Sequence, residues 1–177
     1  MTRPTKDSCC GRRPDAKETL VSDAGFDAHE ITMLGLTRYY LQSFAIPQSH
    51  AWIGCFERAQ FHYGEAHGML LAGRLLNALR AMRYARRSTF HFNSPVCLGC
   101  STILTEHERR LMRSLAALRR GHEGIVQTEM MMLCEGNDTA EAIAALSQVA
   151  LTLPSPATAL DGGRYGDAFF GTERRSA

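Results

Sequence analysis

Lysine is nearly absent from this chain: Lys6 and Lys17 stand against 18 arginines among 177 residues. A guanidinium stays charged and forks onto carboxylates or phosphates, whereas an ammonium is a point charge. A GC-rich coding bias produces the same skew. Long apolar runs are absent too, and nothing approaches the roughly 18 residues of a membrane span. The first 25 residues carry Arg3, Lys6, Arg12 and Arg13 without an apolar stretch, so no secretory signal is read there. These absences predict a cytoplasmic protein with no membrane partner.

Chemistry-bearing motifs are also scarce. The chain holds no His-Glu-x-x-His, no Gly-x-Ser-x-Gly, no phosphate-cradling glycine loop and no Glu-x-x-His. Six cysteines, at 9, 10, 55, 97, 100 and 134, are too few for a disulfide scaffold. With 45% hydrophobic and 21% charged residues, the composition fits an ordinary globular domain rather than a fibrous or wholly disordered chain.

Helix signals dominate the middle of the chain. Three capping boxes are legible as a short polar acceptor followed three residues later by glutamate: Asp27 with Glu30, Thr105 with Glu108, and Asp138 with Glu141. Each opens a segment with apolar residues three, four and seven apart. Two more helices are expected at 49–62 and 65–87, the latter apolar almost all round between Met69 and Leu79 and so read as central and buried. A sixth is expected at 123–135, with core packing the favoured reading of Met130, Met131 and Met132. The expected fold is all-α, a five- or six-helix bundle with one irregular cysteine knuckle at about 88–104 and disordered termini. Residues 1–26 read as a mobile leader, 27–153 as the helical domain and 154–177 as a flexible tail. Ser88–Phe92 alternates as a strand would.

The irregular segment contains Cys97-Leu98-Gly99-Cys100. Two thiols at this spacing can face one ion, and thiolates suit tetrahedral zinc. Cys134 and His91 complete the expected structural zinc site, with His107 as substitute for His91. The rivals are a pair of reduced thiols, an iron–sulfur cluster, and a redox pair, the last lacking the βαβ setting of thioredoxin-like proteins. Glu57, His62, Glu65 and His67 cluster at a helix junction and read as partly buried polar residues. Cys9 and Cys10, adjacent in the leader, read as incidental.

Charge is unevenly distributed. Residues 74–120 hold ten arginines against Glu106 and Glu108, a net +8, and 121–153 hold five acids and no base. Arg109, Arg113 and Arg120 fall within about 40° of one another on a helix. Arg80, Arg83, Arg86 and Arg87 gather near the end of the preceding long helix. Together Arg80, Arg83, Arg87, Arg109, Arg113 and Arg120 are the expected contacts to an anionic partner, nucleic acid first and an acidic protein second. Neutralisation by the 121–153 acids is the competing expectation, and a pI near 8.3 lies below the value of about 9 typical of dedicated nucleic-acid domains. The function expected is that of a small, zinc-stabilised regulatory or accessory protein. A helical protein-interaction module and a metal-dependent enzyme with an open zinc position are the alternatives, and a homo-oligomer is compatible with either.

Overall fold

The computed structural model describes residues 11–156. The first ten residues and the last 21, with Cys9, Cys10, the start of the expected leader and most of the expected tail, lie outside the described residues. Seven α-helices occur among those described: α1 Ala28–Ala45, α2 Trp52–Tyr63, α3 Glu65–Ala85, the single turn α4 Leu98–Ser101, α5 Glu106–Arg119, α6 Glu123–Leu133 and α7 Ala140–Thr152. A two-stranded ribbon joins β1 (Thr19–Leu20) to β2 (Ile103–Leu104), antiparallel, with Thr19 opposite Leu104 and Leu20 opposite Ile103. The ribbon corrects one expectation: part of the 11–26 stretch, read as a mobile leader, is paired to the domain. Residues 88–97 are irregular as expected, whereas α4 and β2 occupy most of the rest of the 88–104 segment. Pairing needs only two residues on each side here, too few to leave a period in the sequence.

Two of the three capping boxes form as expected. The Asp27 side chain accepts from Glu30 N and Glu30 accepts from Asp27 N, and Thr105 and Glu108 repeat the exchange at the start of α5. The third does not form. α7 begins at Ala140, and the Asp138 carboxylate instead accepts from Ala140 N at 2.9 Å, an Asx-type turn two residues long.

α3 packs against α2 and α7, α5 against α6 and α7, and α1 touches α2, α3 and α5. Met33, Leu36 and Tyr40 meet Leu71, Leu75, Leu79 and Met82 in the core, with Met112, Leu115 and Met130 beneath α5 and α6. Of the three consecutive methionines only Met130 is buried, while Met131 and Met132 are about half exposed. α3 is not central all round: Met69, Leu70 and Gly73 face outward. Only Gly64, at φ 78°, separates α2 from α3. Four residues on, Gly68 lets the two helices close up, since a Cβ there would stand 2.5 Å from the Ala59 carbonyl.

α1 and α5 are clamped at two places by buried ion pairs. Near the start of α1, Glu30 is fully buried and accepts from Arg119 Nη1 at 2.7 Å and Arg120 Nη1 at 2.6 Å. Near the start of α5, the equally buried Glu108 takes both prongs of Arg38, Nε at 2.7 Å and Nη2 at 3.0 Å. Each capping-box glutamate therefore also binds an arginine of the other helix, which fixes the antiparallel register of the pair.

Candidate anion-binding groove

The irregular segment is held without any assembled metal site. Among the described residues no three or more His, Cys, Asp and Glu side chains come together as a group that could hold a metal ion. The expected zinc ligands are dispersed instead. Cys134 is wholly buried at the end of α6, and burial pushes its thiol pKa up. Cys97 caps α4 and Cys100 lies within it, both partly exposed. The His91 N–H donates to His107 Nδ1 at 2.9 Å, with the two rings 5.2 Å apart. Glu57, His62, Glu65 and His67 form no such group either, and His67 Nε2 bonds the Thr152 carbonyl.

Restraint comes from the Arg38–Glu108 pair. Arg38 also donates to the Ser101 carbonyl at 2.7 Å and the Ile103 carbonyl at 2.6 Å. Glu108 accepts from Asn93 N, and Asn93 Nδ2 reaches the Ile103 carbonyl at 2.8 Å. Charge-assisted bonds of this kind are short and strong, and the low dielectric of a buried site strengthens them. They tie residues 93–105 to α1 and α5, the task the sequence reading gave to zinc.

The basic residues divide into two classes. On α5, Arg113 Nη1 lies 3.1 Å from Glu129, and Arg110 Nη1 lies 3.2 Å from the same carboxylate. Arg120 is paired with Glu30, which holds its guanidinium pKa above the ordinary value. Of the three α5 residues expected to meet an anion, only Arg109 is without a carboxylate among the described residues. Arg86 is 3.4 Å from Glu135 and almost buried. Neutralisation by the 121–153 acids thus covers Arg86, Arg110 and Arg113, while Arg120 takes a partner on α1 that sequence spacing could not reveal.

The α3 cluster is different. Among the described residues no carboxylate pairs with the guanidinium of Arg80, Arg83 or Arg87, and all three residues are exposed. They line a surface groove between the C-terminal half of α3 and the end of α1. One lobe, about 460 Å³, is bounded by Phe44, Leu76, Asn77, Arg80, Arg83 and Tyr84. The adjoining lobe, about 340 Å³, shares Phe44 and Arg83 and adds Arg86, Arg87, Phe90 and Phe92. Aromatic rings preset the cations. Arg83 Cζ sits 4.2 Å over the Phe44 ring and Arg80 Cζ 5.6 Å over Tyr84, a residue 75% exposed. Cation–π contact orients each guanidinium without consuming its charge or its N–H donors. Arg86 Cζ stands 5.6 Å from the centre of Phe90, and its buried Nε has no hydrogen-bond partner in the described structure. Sequence reading found the arginines of this groove but missed Phe44 and Tyr84, which complete it.

No family model, curated protein or solved structure matches the chain. No helix among the described residues is long and apolar enough to cross a membrane.

Proposed function

We propose that the protein is a small regulatory or accessory binding protein whose α1–α3 groove takes an anionic partner, nucleic acid in its single-stranded form. The observation that carries this reading is the contrast within one chain: Arg110, Arg113, Arg119 and Arg120 are consumed by carboxylates, whereas Arg80 and Arg83 are left exposed over aromatic rings, with Arg87 exposed in the adjoining lobe. Guanidiniums bind phosphates, and an exposed tyrosine offers a face on which a base stacks for about 1–3 kcal/mol. A duplex would engage the arginines but hide its bases from Tyr84.

Fluorescence anisotropy with a labelled single-stranded oligonucleotide tests the proposal. Tyr84→Ala should weaken single-strand binding by about five- to 150-fold, from the stacking range, and leave duplex binding nearly unchanged. Equal binding of both strand forms, insensitive to Tyr84→Ala, contradicts the stacking element. A second reading, a module that docks another protein, is favoured by the exposed Trp52, Ile53, Phe61, Met69 and Leu70 on α2 and α3. It is adopted if no oligonucleotide binds at low salt.

A further inference from the structure

We infer that Cys97 and Cys100 form a thiol–disulfide exchange pair, a site separate from the α1–α3 groove. Cys97 caps α4, and its Sγ accepts the Cys100 N–H at 3.5 Å. Residues three apart across a helical turn have Cα atoms about 5 to 6 Å from each other, inside the roughly 4.4–6.8 Å that a disulfide spans. The Cys97 sulfur already lies against the backbone of Cys100, and the spacing suits a disulfide. Accessibility separates these two cysteines from the others described. Cys55 and Cys134 are wholly buried, and burial pushes the Cys55 thiol up to about 12, whereas Cys97 and Cys100 are partly exposed.

A cation completes the site. The Arg12 guanidinium, fixed by Asn93 Oδ1 and Glu18, interacts electrostatically with the Cys100 side chain. A neighbouring guanidinium favours thiolate, the form that attacks disulfides. Cys100 is thus the attacking sulfur and Cys97 the resolving one. With a small-molecule disulfide as co-reactant, the Cys100 thiolate attacks one sulfur, the S–S bond breaks, and the first thiolate leaves and takes a proton from water. Cys97 then gives its proton to solvent, attacks Cys100 Sγ and expels the second thiolate. Two thiols of the protein have lost two electrons and two protons, and the incoming disulfide has become two thiols.

The test exposes the full chain to a series of oxidised-to-reduced glutathione ratios, quenches with an alkylating agent and maps tryptic peptides by mass. The peptide covering 88–109 should lose two hydrogens as the ratio rises, while Cys55 and Cys134 stay reduced. Cys97→Ser should trap one glutathione on Cys100, and Arg12→Gln should slow that trapping severalfold. Full alkylation of Cys97 and Cys100 at every ratio overturns the proposal. So does cross-linking of Cys100 to Cys9 or Cys10 in place of Cys97. Retention of zinc by the purified chain, with both thiols inert until a chelator is added, overturns it in favour of a metal site.

Discussion

Arg38 and Glu108 meet across 70 residues of sequence, both out of water, and among the described residues neither has a second ion-pair partner. Removing one member of such a pair strands the other, at a cost of about 3–5 kcal/mol, whereas replacing both with apolar groups is often neutral. Arg38→Met should accordingly lower unfolding free energy by about that amount and speed hydrogen exchange at residues 93–105. Arg38→Met combined with Glu108→Leu should recover part of the loss, less than all of it because Asn93 N and Thr105 N lose their acceptor. Urea titration of the single and double variants reads both outcomes. His107 supplies a pH dependence. Burial, then Arg86 and His91, lower its pKa, outweighing the opposite pull of Glu106 and Glu135. The folded state thus binds its proton less readily than the unfolded chain, so the contribution is complete above the unfolded value of about 6.5 and is lost as pH falls through the lower folded value. Protonation also removes the Nδ1 lone pair that accepts the His91 N–H. Melting temperature measured from pH 7.5 to 5 should fall in the wild type and fall less in His107→Gln; parallel curves would remove His107 from the account.

Among the elements, what could be read from sequence was whatever closes locally. The boxes at Asp27 and Thr105 need only residues three apart, and both are present. The box at Asp138 has the same letters, but the chain turns one residue later and Thr139 takes the cap position without using its side chain. The second role of Glu30 and Glu108, as partners for Arg120 and Arg38, was not legible, because no local pattern says which distant cation a buried carboxylate meets. The complete burial of Cys134 at the end of α6 was likewise invisible in the sequence. Gly68 and Gly73 show the same limit within one helix. Both look like weak points of α3, yet a Cβ at Gly68 would strike Ala59 backbone while one at Gly73 meets nothing within 4 Å. Gly68→Ala should cost about 1–3 kcal/mol through forced separation of α2 and α3. Gly73→Ala should stabilise by about 0.5–1 kcal/mol through lower backbone entropy in the unfolded chain. Thermal unfolding of the two variants side by side would contradict this packing if both shifted the same way.

Over the whole molecule, acid is used to hold helices together. Asp27 and Glu30 secure Arg119 and Arg120, Glu129 secures Arg110 and Arg113, and Glu135 reaches Arg86 and the backbone of Arg87 and Ser88. Asp27 makes part of this arrangement acid-sensitive. Burial alone would raise its pKa, but the Glu30 N–H and Arg119 bring it below the ordinary carboxylate value. Its contribution is therefore present above about pH 4 and lost as pH falls through the lower folded value. Among the cations the acids leave over, Arg80, Arg83 and Arg87 gather in one groove, so a modest net charge of +2 conceals a localised cationic patch. That groove is the central claim, and salt dependence measures it most directly. Each phosphate neutralised on a single strand contributes about 0.7 to the slope of log affinity against log salt. Replacing Arg80, Arg83 and Arg87 together with Gln should flatten the slope by about two units without lowering the melting temperature, because none of the three pairs with a described carboxylate. An unchanged slope, or flattening of the same size from Arg113→Gln alone, would contradict the account.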